Sequence, residues 1–268
     1  MRTSFCLFLA ALTLQAKLVA EPLPDLAKLK IAAESGDPVA EFQYANRVRT
    51  TAPHGYFDWF MKSALQGYAP AEDAVAADLE IRYVADPKKK QALERQAIRW
   101  ASRAAYQGIV SAQTRLSRAY FRGKGVPKNP MAAYMWIQIA VQSANGSSNL
   151  FASLMPQSER DVIISNVSSG EIAEGQRRAA AFRPGRYSGR TNPVEADVIF
   201  GQLRLVAIYD LRDHLAVVVN DLRYNPGETK DLMVDGESAR LTCVSIQGKS
   251  ARFRLADSDF EVVLALKS

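Results

Sequence analysis

Three glycines, Gly36, Gly67 and Gly108, each open the same pattern, and this pattern constrains the chain more than any other feature. Four residues after them stand Ala40, Ala71 and Ala112. Eight after stand Tyr44, Val75 and Leu116, and twelve after stand Val48, Leu79 and Tyr120. Three residues before them stand Ala33, Ala64 and Ala105, and eight before the second and third stand Trp59 and Trp100. Small or apolar residues at every fourth position after a glycine describe a turn that feeds an amphipathic helix. Each unit therefore reads as a helix A, a glycine turn, a helix B and a polar loop. Trp136, Ala140 and Gly146 mark a fourth, partial unit. The glycines lie 31, 41 and 38 residues apart, which is the period of a solenoid of helical hairpins. One hairpin cannot bury its own apolar face, so several must stack. The alanines let paired helices come close, and the tryptophans are placed to fill the space between neighbouring hairpins. Asn129-Pro130 and Asp86-Pro87 read as helix caps followed by first-turn prolines.

The stretch Trp100-Ala101-Ser102-Arg103-Ala104-Ala105-Tyr106-Gln107-Gly108 continues through Ala112-Gln113, Leu116 and Tyr120 to Gly123-Lys124-Gly125-Val126, Asn129 and Ala132-Ala133. It resembles the Sel-one-like repeat family, a relative of the tetratricopeptide repeat. The resemblance covers roughly 27–183 and is strongest in the third unit. Ala133-Tyr134-Met135-Trp136 resembles the start of a last repeat, and the run from Gly170 to Arg178 resembles the helix that follows it. The Gly-x-Gly turn survives only at Gly123 and Gly125; near Thr51 and Arg82 its counterparts are not glycine, so those turns take another shape. Residues 156–183 read as two more helices, with a capping box in Ser168-Ser169-Gly170-Glu171. The resemblance implies a stack of helical hairpins, and the expectation is a scaffold that binds a protein or peptide, with no cofactor motif in the sequence.

From Phe182 to Glu195 apolar periodicity is absent, and Pro184, Gly185, Gly189 and Pro193 mark a linker over 184–195. Beyond it the period falls to two. Leu203, Leu205 and Ala207 alternate; Leu215, Val217 and Val219 follow; Ala239, Leu241, Cys243 and Ser245 share one face; Ala251, Phe253 and Leu255 point in with Arg252 and Arg254 out; Phe260, Val262, Leu264 and Leu266 close the series. Asn225-Pro226-Gly227, Asp235-Gly236 and Gln247-Gly248 are turns. The reading for 196–268 is a small antiparallel β domain of five to seven strands, a sandwich or a barrel. The whole chain is thus multidomain, α then β: a helical repeat domain over 21–183 and this β domain. An Ala-Val-Val-Val strand, a Pro-Gly-Glu step and a final Val-Val-Leu strand give the β domain a faint resemblance to the periplasmic homology-region domain of type II secretion and type IV pilus assembly proteins.

The first twenty residues carry a different message. Met1-Arg2 is a basic start, Thr3 to Ala16 is mostly apolar, and Ala16 and Ala20 precede Glu21-Pro22. That is the layout of a secretory signal peptide over 1–20, cleaved after Ala16 or Ala20. It predicts a secreted or periplasmic protein with no membrane span after cleavage. Loss of Arg2 and Lys17 brings the net charge from +6 to +4, and Cys243 is left as a single, buried thiol. An excess this small, with no basic stripe interleaved with aromatics, argues against nucleic acid.

Chemistry is sparse. His54 and His214 stand alone, with no metal-ligand spacing around them. No nucleophile–base pair is legible, so no catalytic or metal residues are assigned and an enzyme is not expected. Lys88-Lys89-Lys90 is a solvated helix start that is able to steer an acidic partner. The partner-binding candidates are the aligned outward positions of two A helices, Asp58 and Lys62 in the second unit and Arg99 and Arg103 in the third, each pair sharing one helix face. The expected function is an extracytoplasmic scaffold for a protein partner. An assembly or adaptor factor of a secretion or pilus machine, acting through the β domain, is the alternative, and a hydrolase stands third.

Overall fold

The computed structural model describes residues 25–51, 55–85, 89–144, 159–185, 192–211, 214–234, 237–256 and 258–266. The signal segment, His54, Asp86-Pro87, Lys88, Gly146 and the turn residues Asp235-Gly236 lie outside the described residues. The helical part contains α1 (Leu26–Glu34), α2 (Pro38–Val48), α3 (Tyr56–Leu65), α4 (Ala69–Ala85), α5 (Lys90–Tyr106), α6 (Val110–Arg122), α7 (Pro130–Ala144), a short helical stretch at 159–164, and α8 (Ser169–Ala181). Consecutive helices pack pairwise as hairpins.

The glycine register explains the turns. Gly36, Gly67 and Gly108 have φ of +90°, +82° and +95°, the left-handed region that glycine enters without a Cβ penalty. At each, the glycine N–H donates to the carbonyl of Ala33, Ala64 or Ala105. The next amide, of Asp37, Tyr68 or Ile109, donates to Ala32, Ser63 or Ala104 at 3.3, 3.3 and 3.1 Å. This double closure is the Schellman motif, and it reverses the chain the same way three times. The alanines on either side of these turns are all buried. Trp59 packs against both the first- and second-unit cores, and Trp100 against both the second and third. Trp136 is 1% exposed, edge-on to Tyr106.

The units differ where their turns differ. Near Arg82 the missing glycines are replaced by continued helix: α4 runs for 17 residues, and Arg82 is held to Asp78 one turn back. Helix α5 also has 17 residues, against 10 in α3, because it starts well ahead of its tryptophan. After α6 the chain turns at Gly123 and Gly125, with φ of +68° and +71°. The Asn129 side chain then accepts from the Ala132 amide and starts α7. The Ser168–Glu171 capping box opens α8. Gly175 lets α8 approach α7, since a Cβ there would lie 2.8 Å from the Tyr134 ring.

The linker expectation needs correction. Gly185 donates to the Tyr106 carbonyl at 2.9 Å, and a helix, α9 (Pro193–Phe200), begins inside the stretch read as linker. Asn192 and Glu195 cap it reciprocally, and Pro193 occupies its first turn. Helix α9 packs on α5. Val194 and Val198 belong to the solenoid core, while Ala196 belongs to the β-domain core. One short helix is shared by both.

The β domain has strands β1 (Leu205–Leu211), β2 (His214–Val219), β3 (Leu222–Tyr224), β4 (Thr229–Val234), β5 (Glu237–Gln247), β6 (Ser250–Leu255) and β7 (Glu261–Ala265). They form two antiparallel sheets, β1-β2-β3 and β4-β5-β6-β7. The sheets share one core, in which Tyr224 of one meets Phe253 of the other edge to face at 5.2 Å. They do not close, so the domain is an open sandwich and not a barrel. Two bulges break the expected alternation. The break between Cys243 and Ser245 puts Ser245 opposite the outward Arg252 and lets Ile246 turn in opposite Ala251. The break between Leu205 and Ala207 similarly brings Ile208 to the core.

Gly125 tests the turn that joins the third and fourth units. An added Cβ would lie 2.8 Å from the Glu94 carbonyl oxygen and 2.9 Å from the Ile98 side chain, at a positive φ. Gly125→Ala is expected to destabilise the protein by about 2 kcal/mol, and Gly36→Ala, with open space around it, by about 1 kcal/mol. Urea unfolding of both variants checks the order; equal losses would deny the close approach.

Candidate partner-binding surface

The four candidate residues align as expected in sequence and separate in space. Asp58 and Lys62 are exposed on α3. Arg99 is 7% exposed, and Arg103 is only half-buried, its guanidinium bonded to Glu195 of α9 at 3.1 Å. The four do not form one solvent-facing row. Helix α9, which the linker reading did not include, lies on that part of α5.

Lys62 and Arg103 nevertheless occupy equivalent environments. Each lies over the tryptophan three residues before it, Lys62 Nζ at 4.0 Å from the Trp59 ring and Arg103 at 4.8 Å from Trp100. Each also faces a buried glutamate of the preceding unit. Glu41 is 3% exposed and accepts from Gln66 Nε2 at 2.8 Å. Glu72 is 1% exposed and accepts from Gln107 Nε2 at 2.7 Å. Both glutamates sit five residues after their glycine, and both glutamines immediately precede the next one. Burial raises the Glu41 and Glu72 pKa values, and the nearby Lys62 and Arg103 charges oppose the rise. The sequence carried a visible signal for this: Ala-Glu after the first two glycines and Gln-Gly at the second and third.

The junction under α9 extends this acid cluster. Asn192 Nδ2 donates to Ser102 at 3.1 Å. The Tyr120 hydroxyl donates to Asp197 at 2.5 Å. Burial raises the Asp197 pKa against that hydrogen bond, and burial with the Asp197 charge raises those of Tyr106 and Tyr120. Glu72 is the most telling group. Burial pushes it up to about 7, with Arg103 and Gln107 opposing and Glu195 adding to the rise.

Two concave features adjoin this junction. A cleft of about 880 Å³ lies between the solenoid and the β domain. Its walls are the first turns of α5 (Gln91, Glu94), the 123–127 turn, the end of α9, Arg204 and Val206 by β1, and Asp221. Gly201 at the end of α9 seats against Pro127, and Asn220 in the β2–β3 turn accepts from the Arg204 amide at 2.9 Å, tying that turn to the chain entering β1. A smaller pocket of about 130 Å³ lies on the other side of the 123–125 turn, lined by Glu80, Glu94, Arg115, Arg118, Arg122 and Lys124 over Ala97, Ile98 and Ala119.

Among the described residues, no group of three His, Cys, Asp or Glu side chains is placed to hold a metal ion, and no helix is long and apolar enough to cross a membrane. His214 is exposed at the start of β2. Cys243 is buried, and burial pushes its thiol up to about 11.

Glu72 dictates a pH dependence. A carboxyl whose folded pKa is about 7 and whose ordinary value is 4.5 stabilises the fold fully below 4.5, and that contribution is lost as pH rises towards 7. Glu72→Gln keeps an acceptor for Gln107 without a charge. It is expected to gain about 2 kcal/mol on the native protein between pH 4.5 and 8 in urea unfolding. A constant difference across that range would show that Glu72 is not the titrating group.

Comparison with known proteins finds a family match and structural likenesses. Residues 90–109 and 110–145, which comprise α5 to α7, match the Sel1 repeat family. A protective antigen of uropathogenic Escherichia coli strains, displaying an SLR fold, aligns over 59% of this chain with 22% identity and a TM-score of 0.49. The alignment spans 32% of that protein's length. A Sel1 repeat protein from Oxalobacter formigenes aligns over 51% of this chain and 99% of its own, with 27% identity and a TM-score of 0.40. No curated protein matches the chain. Over 90–145, where the glycine turns, the tryptophans and the close-packed alanines are most regular, the chain carries Sel1 repeats.

Proposed function

We propose that the protein is an extracytoplasmic, non-catalytic scaffold that holds a protein partner in the cleft between its solenoid and its β domain. The repeats support a role in protein interaction, and the layout of residues 1–20 supports export. The observation that carries the reading is the cleft itself. Its two walls belong to different domains, yet shared packing around α9 fixes them relative to each other, so it presents a preformed shape. Among the described residues its lining contains no aromatic side chain and is rich in charged and amide groups. Small-molecule pockets are mainly apolar and aromatic, whereas polar, wet surfaces suit a protein segment. Asp58 and Lys62 on α3 remain the exposed part of the expected A-helix face and extend the surface available to such a partner.

An adaptor acting through the β domain is favoured by one feature. Strand β1 is a sheet edge whose backbone makes no bond beyond β2 among the described residues, and it exposes Val206 and Tyr209. Edges of this length usually carry lysine or proline guards; β1 has neither and relies on Asp210 and the bulge between Leu205 and Ala207.

Site-specific photo-crosslinking separates the two. A benzophenone amino acid replacing Gln91 or Asp221, both in the cleft, is expected to capture the same protein in the envelope of the source cell, while Lys28 on α1 yields none. Capture from Tyr209 alone would favour the adaptor. Equal capture from all positions, or none from the cleft, would end the scaffold reading.

A further inference from the structure

The cationic side chains around the third unit divide into two groups. Helix α6 places Arg115, Arg118 and Arg122 in one stripe, at spacings of three and four. The first two are neutralised internally: Arg115 pairs with Glu80 and with Asp73, and Arg118 makes a forked contact with Glu159. Arg122 is exposed and has no acidic partner among the described residues. The same holds for Lys90, Lys124 and Lys128.

The fold brings these four together. The 123–125 turn is seated on the Glu94 carbonyl, one helical turn beyond Lys90. The Lys128 Cβ lies 3.2 Å from the position of a Cβ on Gly123, which places its stem beside Arg122 and Lys124. Arg122 and Lys124 are also the rim of the 130 Å³ pocket, whose floor is Ala97, Ile98 and Ala119. Among the described residues the acids facing these cations are the pocket's Glu80 and Glu94, with Asp221 across the cleft, and Glu80 is engaged by Arg115. The uncompensated charge therefore lies on a ridge between the pocket and the cleft, whose lining includes Gly123 and Gly125.

We infer that this ridge, formed by Lys90, Arg122, Lys124 and Lys128, docks an acidic segment of the protein partner, with one carboxylate side chain entering the pocket beside Arg122 and Lys124. Charge complementarity selects an acidic ligand, and geometry selects a peptide. A side chain on a flexible stem reaches the floor of a small concave pocket, whereas the plane of an anionic bilayer does not. Lys90, the last of the lysine run read at the start of α5, thereby joins a site. The inference rests on the scaffold reading and names the chemistry of what it binds.

The test uses the full mature chain and a fluorescein-labelled octapeptide of alternating glutamate and leucine, followed by fluorescence anisotropy at low salt. Arg122→Glu/Lys124→Glu is expected to weaken binding at least tenfold, and added salt to weaken wild-type binding steeply. Both side chains are exposed, so the variant should keep its melting temperature. Arg177→Glu/Arg178→Glu on α8 changes net charge equally at a distance and is expected to leave binding unchanged. Equal weakening by both variants would reduce the effect to net charge and overturn the site. So would absence of peptide binding by the wild type, or binding to phosphatidylserine-containing vesicles without binding to the peptide. If crosslinks from Gln91 and Asp221 persist at wild-type level in Arg122→Glu/Lys124→Glu, the ridge is wrong and the scaffold stands; if those crosslinks are absent in the wild type, the scaffold reading fails first.

Discussion

A buried carboxylate is tolerated only when hydrogen bonds and a nearby opposite charge replace the water it has lost. In this solenoid two such carboxylates, Glu41 and Glu72, each lie in one repeat and have their replacements in the next. Glu41 is buried at the start of a B helix and finds Gln66 and Lys62 one unit on; Glu72 finds Gln107 and Arg103. A unit with its successor removed would leave the glutamate buried and unpaired or force it to reopen to water. The stacking order is therefore enforced by electrostatics as well as by apolar area. The tryptophans add to the same coupling, because Trp59 and Trp100 each contact two cores and carry the same Lys62 and Arg103 on their faces.

At the third unit this arrangement acquires a second use. Arg103 answers Glu72 within the stack and Glu195 from α9. One guanidinium thus faces two glutamates, and it only partly opposes the burial that raises the Glu72 pKa to about 7. The same crowding fixes α9, since Asn192 ties its N-terminus to Ser102 and Asp197 ties its middle to Tyr120. Because α9 also contributes Ala196 to the β-domain core, the relation between the two domains is set by packing and not by a tether. The cleft follows from that relation.

The parts legible in the sequence were those governed by local periodicity. Glycine turns, close-packed alanines, tryptophan spacers and the Arg252/Arg254 alternation all repeat with a period that a single chain displays. What escaped were features decided by a non-local neighbour. Arg99 and Arg103 occupy outward positions of their own helix, yet Arg99 is buried and Arg103 is held by Glu195 of α9, some ninety residues later. The capping pair Asn192 and Glu195 was present in the sequence, but the glycines and prolines before it outweighed eight helical residues with no strong amphipathic stripe. The strand bulges near Val206 and Val244 are invisible to a strict period of two, and each moves an isoleucine inward one residue later than the alternation predicts. The choice between sandwich and barrel depended on edge closure, which no residue pattern in these short strands encodes.

The fate of the cations links fold to function. An arginine engaged by a carboxylate from an adjacent helix, such as Arg115 or Arg118, contributes to cohesion and offers little to an outside ligand. A cation on a turn that glycine geometry holds against a neighbouring helix is positioned but not neutralised, and Lys124 is of that kind. Its position costs little ordering on binding, because the backbone is fixed by Gly123 and Gly125 and only the side chain remains to be arranged. Recognition by such a surface depends on the rigidity of what lies beneath it.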